Sequence, residues 1–298
     1  MATLSIQITE VGPRDGLQNE KNTIPTQAKI AFIDALSQTG VQEIEAGAFV
    51  SPKAIPQLAD SEEIFQKIKR KKGVIYSALV PNEKGMERAL AAKVDKIAVF
   101  TAASETFNQK NINATIKESI ERFKPVLAQA KAAKIPVRGY ISTAFHCPYD
   151  GPISPDKVWP VAQELLTLGV DELSIGDTIG KANPDELRRL LNILLKNMPK
   201  EKIALHFHDT YGMAVANALT AWQEFGIVRF DASAGGLGGC PYAPGAAGNV
   251  ATEDLLYALS SMGATVPIDL NALVAALAAL APHLGRPITS RAAGRLKT

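Results

Sequence analysis

Cysteine and histidine are scarce in this chain of 298 residues: two cysteines, Cys147 and Cys240, and four histidines. Two cysteines are too few for a disulfide framework at this length, so a reducing compartment is the simpler expectation. Charge of one sign is missing too, since 32 basic residues against 30 acidic ones leave a formal +2. The one basic cluster, KIKRKK at 67–72, reads as the solvated end of a helix, which argues against nucleic acid as a partner. No apolar run reaches a spanning length. The most apolar tail segment, DLNALVAALAALAPHLG at 269–285, carries Asp and Pro and reads as a buried helix packed on the body. The opening MATLSIQITEV has no basic leader before an apolar stretch, so no targeting signal and no membrane partner are expected, and the chain reads as cytoplasmic.

What is there is a composition of 46% hydrophobic and 21% charged residues, that of a soluble globular protein with a sizeable core. Short β-branched runs alternate with longer amphipathic ones. Strands are expected at 5–11, 43–49, 74–80, 96–100, 137–143, 172–177, 203–209 and 229–235. Between them lie helix patterns such as TQAKIAFIDALSQTG, and NPDELRRLLNILLKNMP with an Asn cap and a Pro at its first helical position. Eight strand-then-helix units in about 265 residues fit a (β/α)8 TIM barrel better than an open doubly wound sheet. We therefore expect one catalytic domain over 1–298, with 269–285 as an extra C-terminal helix.

In such barrels the strand C-termini and the loops after them form the active-site face. The unusual polar residues fall there: Arg14 and Asp15 after the first strand, Glu45 in the second, Asp177 ending the sixth, and His206 and His208 on the seventh. In LHFHDT (205–210) the two histidines sit two apart, so on a strand they share a face about 7 Å apart, a spacing one metal ion can bridge. With Asp15 and Asn249 they make a mixed nitrogen and oxygen set that favours Mg2+ or Mn2+ over a structural zinc. Each has an ordinary alternative: the histidines as hydrogen-bonded strand residues, Asn249 as a helix cap, Asp15 as a turn residue before Gly16, Arg14 in a surface ion pair. Arg14 beside a metal would neutralise a forming enolate oxygen, a role confined to the transition state, so replacing it is expected to cost turnover with little effect on folding. The stretch SAGGLGGCPYAPGAAGN (233–249) holds six glycines and two prolines around Cys240, the make-up of a loop that closes over a ligand. There Cys240 is a candidate proton donor or acceptor. Cys147 reads as a small buried residue, and nearby Tyr149 as a pocket-lining one.

The segments EVGPRDGLQNEK (10–21), AFVSPKAIPQ (48–57), GDTIG (176–180), HFHDTYGMAVAN (206–217) and GGLGGCPYAPGAAGNVATEDL (235–255) resemble the 3-hydroxy-3-methylglutaryl-CoA lyases, within a wider group of metal-dependent barrel lyases and synthases of Claisen type. The likeness covers nearly the whole chain, and the Cys240 loop is its most specific part. It implies cleavage of hydroxymethylglutaryl-CoA to acetyl-CoA and acetoacetate, in leucine catabolism or a ketone-body type pathway, with an acyl-CoA as substrate and a homo-oligomer as the assembled form. Carried over, Asp15, His206, His208 and Asn249 are the metal ligands, Arg14 polarises the thioester carbonyl and Cys240 is the loop acid/base. By the same resemblance Glu45 and Asp177 are polar support residues, and a proton-shuttling role for His206 stays open. In STAFHCPYDG the part TAFH departs from the family pattern, which leaves His146 unassigned. The alternatives are a lyase for a longer 3-hydroxy-3-alkylglutaryl-CoA, a synthase condensing acetyl-CoA with an oxo acid, and a non-catalytic acyl-CoA sensor.

Overall fold

The computed structural model describes residues 5–239 and 248–295. Its strands are β1 (Gln7–Glu10), β2 (Glu43–Ala48), β3 (Ile75–Leu79), β4 (Lys96–Ala102), β5 (Val137–Ser142), β6 (Glu172–Asp177), β7 (Ile203–Phe207) and β8 (Arg229–Ala232). They pair in parallel in chain order, and β8 pairs with β1 to close the barrel. Every expected strand is present, to within a few residues at its ends. A short hairpin, His146–Cys147 against Gly151–Pro152, follows β5.

Helices α1 (Thr26–Ser37), α2 (Ser61–Lys67), α3 (Glu83–Ala91), α4 (Glu105–Ile112), α5 (Ile116–Ala133), α6 (Pro155–Leu168), α7 (Pro184–Asn197), α8 (Ala214–Phe225) and α9 (Thr252–Ser261) connect the strands, two of them between β4 and β5. Strands packed on both faces bury every residue, as in β2 and β6. The helices bury one stripe each. In α7, Leu187, Leu190, Leu191 and Leu194 face the sheet, each worth about 1.5–3 kcal/mol. The α7 start is closed by a reciprocal box: the Asn183 side chain accepts from the Glu186 amide, and the Glu186 carboxylate accepts from the Asn183 amide.

One expectation needs correction. Residues 269–285 do not form one helix. They run as α10 (Leu270–Ala276), a 3-10 turn (Leu277–Ala279) and α11 (Ala281–Leu284). Pro282 has no N–H for the Ala278 carbonyl and its ring crowds that turn, so the α-helix gives way over 277–280 and restarts at Ala281, with Pro282 in its first turn. The basic cluster does fall at the solvated end of a helix: α2 ends at Lys67, and Lys67, Lys69, Arg70, Lys71 and Lys72 are exposed, with Arg70 lying over the rings of Phe65 and Tyr76 and donating to the Ala92 carbonyl.

The barrel interior is not the usual stack of aliphatic layers. Lys96 of β4 reaches Glu43 of β2 and Glu172 of β6; Arg138 of β5 reaches Glu172 and Asp231 of β8. Contacts between non-neighbouring strands place these side chains inside the barrel.

Asn183→Ala should open the α7 box and lower the unfolding free energy by about 1 kcal/mol, read in urea melts. A change indistinguishable from zero would mean that the box contributes nothing.

Candidate active site

After β1 the chain makes a single π-helical turn, Gly12–Gly16, which presents Arg14 and Asp15. Glu10 holds this turn in place. Its carboxylate accepts from the Gly12 amide (2.9 Å), the Ala234 amide (2.8 Å) and the Thr252 hydroxyl (2.6 Å), tying β1 to the loop after β8 and to α9. Burial outweighs these hydrogen bonds and pushes the Glu10 pKa up to about 7.

Arg14 donates through Nε to Glu45 Oε2 at 2.6 Å and through Nη1 to Asp15 Oδ1 at 2.7 Å, and it sits 5.5 Å from the centre of the Tyr140 ring. Burial would raise the Asp15 pKa, but the Arg14 guanidinium, the two imidazoles and the Asn249 amide hold it well below the usual carboxylate range. Asp15 is therefore a fixed negative charge.

His206 and His208 do project to one side of β7, with ring centroids 5.3 Å apart. Ligand atoms of Asp15, His206 and His208 all lie within 4.8 Å of one another. Asn249 joins them by a bridge pairing with His208, and its Nδ2 donates to Asp15 Oδ2 at 2.8 Å. It is not a helix cap: α9 begins at Thr252, with Ala251 at the cap position. Two glycines permit this closeness. A Cβ on Gly180 (φ 66°) would lie 2.7 Å from the His208 carbonyl oxygen, and one on Gly238 (φ 121°) would lie 2.9 Å from Asn249 Nδ2.

Whether these residues suit a divalent cation can be judged from their unmet valences. His208 Nδ1 and Asn249 Oδ1 are buried with no hydrogen-bond partner, which costs about 1–3 kcal/mol each if left so. Burial and the neighbouring His206 lower the His208 pKa to about 4, so its ring is neutral and keeps a lone pair at neutral pH. An ionised carboxylate, two imidazoles and an amide oxygen fit a cation that accepts mixed oxygen and nitrogen ligands.

The other expected residues fall as follows. Glu45 packs beneath Arg14, with Oε1 unpaired. Asp177 accepts from the Lys181 and Ala182 amides, and its carbonyl accepts from the His208 amide at 3.3 Å. Burial lifts its pKa to about 7. Tyr149 is 38% exposed, with Lys110 Nζ 3.8 Å from its ring centre and Phe107 packed beside it. None of these contacts is to the metal-ligand candidates. His146 pairs with Glu186 at 2.9 Å, and Cys147 is buried beside Ser104. Cys240 and the rest of 240–247, the middle of the expected lid, lie outside the described residues. The expectation that Arg14 is dispensable for folding conflicts with its place as counter-ion to Glu45, whose side chain is 1% exposed. Sequence reasoning also missed Asp231, which pairs with His206, and Arg138, Ser174 and Tyr140 around it. The available signal was a charged residue in the middle of an otherwise buried strand.

A closed parallel barrel with this cluster at the strand C-termini defines a class. The chain belongs to the HMGL-like family, whose profile matches residues 5–280. More particularly, it is 50% identical over 291 residues to the 3-hydroxy-3-isohexenylglutaryl-CoA/hydroxymethylglutaryl-CoA lyase of Pseudomonas aeruginosa, covering 98% of this chain and 97% of that one. To the hydroxymethylglutaryl-CoA lyase of Pseudomonas mevalonii it is 48% identical, covering 97% and 95%. A solved structure of hydroxymethylglutaryl-CoA lyase from Pseudomonas aeruginosa superposes with a TM-score of 0.95 at 50% identity, over 98% of this chain and 97% of that one.

The raised Glu10 pKa predicts a pH dependence. Between about pH 4.5 and 7 the folded chain keeps a proton that the unfolded chain releases, so stability falls as pH rises through that window, by about 1.4 kcal/mol per pH unit at its steepest. Glu10→Gln should remove this component from unfolding free energies measured at pH 5 and pH 8. Parallel pH profiles for the two proteins would contradict the assignment.

Proposed function

We propose that this chain cleaves 3-hydroxy-3-methylglutaryl-CoA to acetyl-CoA and acetoacetate with a divalent cation, Mg2+ or Mn2+, held by Asp15, His206, His208 and Asn249. The observation that carries this reading is the convergence of three ligand groups within 4.8 Å, beside the buried Arg14 and two unsatisfied donor atoms. The relatives' activity supports the substrate. A cation held by these residues would supply positive charge beside the substrate and lower the pKa of its hydroxyl.

The chain's own residues account for the rest. Once a base takes the proton of the tertiary hydroxyl, the C2–C3 bond breaks, C3 becomes the ketone of acetoacetate, and the bonding pair moves onto the thioester as an enolate. Arg14 is the group that meets this charge. Its guanidinium is prepaid in orientation, fixed by Glu45 and Asp15, so it need not reorganise as the enolate forms. Protonation at C2 then completes acetyl-CoA. We assign that proton transfer to Cys240 on the resemblance alone. Glu45 serves by holding Arg14, Asp177 by pinning the turn after β6 against His208, and Tyr149 by lining the outer pocket.

Steady-state assays settle the substrate. Acetoacetate release from the methyl thioester, abolished by EDTA and restored by Mg2+ or Mn2+, is expected. A clear preference for a longer 3-alkyl substituent, or full activity in EDTA, would overturn the respective part of the reading.

Arg14→Gln should lower kcat by about three orders of magnitude or more and, by stranding Glu45, also lower stability by about 3–5 kcal/mol. Adding Glu45→Gln should restore most of the melting temperature and none of the turnover. Recovery of kcat in the double variant would remove Arg14 from the reacting centre.

A further inference from the structure

His206 is the one metal-ligand candidate whose ring is gripped from behind. Its Nδ1 lies 3.3 Å from Asp231 Oδ2. In the parallel register of β7 and β8, Asp231 is the direct partner of His206, so the two side chains share the barrel interior. Asp231 is itself immobilised. Arg138 Nη1 donates to its Oδ1 at 2.5 Å and Ser174 Oγ donates to its Oδ2 at 2.6 Å. Arg138 is anchored in turn by Glu172 at 2.6 Å, and Glu172 by Lys96 and Arg229. Arg138 is 3% exposed, Asp231 1% and Ser174 0%.

We propose that Asp231 is the positioning residue of the metal centre: it holds a proton on His206 Nδ1, so that Nε2 presents its lone pair towards Asp15 and His208. This rests on the metal-centre reading above and extends it to a residue that would not touch the ion. A histidine ligand needs its other ring N–H engaged by an acceptor to fix tautomer and ring orientation. Asp231 is an acceptor here because both of its oxygens are already receiving hydrogen bonds, from Arg138 and Ser174, and a carboxylate has further lone pairs to spare. Tyr140 meets the His206 ring edge-on at 6.3 Å and limits its rotation. The competing account is that Asp231 merely neutralises Arg138. That account predicts a cost in stability alone.

Asp231→Asn separates the two. Its amide oxygen still accepts from Arg138, while its Nδ2 faces His206 Nδ1 and can only donate, which drives the imidazole proton to Nε2. Mn2+ binding to the metal-free full-length protein, followed by electron paramagnetic resonance, should weaken roughly 10- to 100-fold. Nitrogen-15 NMR of histidine-labelled protein should show His206 carrying its proton on Nδ1 in the wild type and on Nε2 in the variant. Should Asp231→Asn fail to fold, the wild-type spectrum still decides, and Ser174→Ala, which changes no charge, should weaken Mn2+ in the same direction. Wild-type His206 protonated on Nε2, or a folded Asp231→Asn that binds Mn2+ within twofold of wild type, overturns the positioning role. A wild type that binds Mn2+ normally while the variant is unaffected leaves the metal centre standing; a wild type that binds none removes both.

Discussion

Asp15 accepts from Arg14 on one oxygen and from Asn249 on the other while facing two imidazoles, and this crowded pairing governs much of what surrounds it. A charge out of water is tolerable only when paired and hydrogen-bonded. Each partner that Asp15 recruits is itself buried and needs its own partners: Arg14 needs Glu45, and Asn249 needs a backbone that Gly238 allows to come close. In the two interior networks, five carboxylates (Glu43, Glu45, Glu172, Asp231 and Asp15) share four basic side chains (Lys96, Arg138, Arg229 and Arg14). Asp15 lies at the end of the set where the unsatisfied His208 and Asn249 atoms also lie. A divalent cation answers their unmet valences and the Asp15 charge in one place.

Such a network is a poor source of stability, because desolvation consumes most of what the ion pairs return. Its value is stiffness. Moving any one member strands another in a low-dielectric interior, so the donors are held without a ligand to organise them. The apolar layer between sheet and helices carries the folding free energy instead, which frees the barrel interior to be polar.

The eight strands were readable because each is a short β-branched run bounded by helix patterns, and the barrel followed from their number. Three of the four proposed ligands sit close to strand ends that sequence spacing locates well, and His206 and His208 face the same way for the elementary reason that strand side chains alternate. Asp231 and Arg138 stand out as charged residues within buried strands, but their contacts, and those of Ser174, were not readable. Their contacts depend on which residue of β8 stands level with His206 and on which interior positions of β5 and β6 meet across the barrel, and parallel register is carried by no local signal. The break in 269–285 was visible in principle at Pro282, but a high local apolar content masked it. The conflict over Arg14 has the same origin as the missed residues. A role inferred from chemistry says nothing about which neighbour loses its counter-ion when that residue is removed.

This division of labour also bears on where substrate preference can reside. His206 and Asp231 are set by paired strands, and Asp15 by a turn that Glu10 clamps to the loop after β8, so none can shift to suit a different acyl group without breaking register or stranding a charge. The hairpin after β5 is bound differently. It consists of two residues a side, its Tyr149 leans on Lys110 and Phe107 of α4, and its His146 pairs with Glu186 at the start of α7. Its His146 and Cys147 are buried, while Tyr149 is 38% exposed and can change size at the cost of surface contacts alone. The metal-ligand candidates are therefore tied to the strands, while the exposed part of the hairpin can vary on the same scaffold without disturbing them.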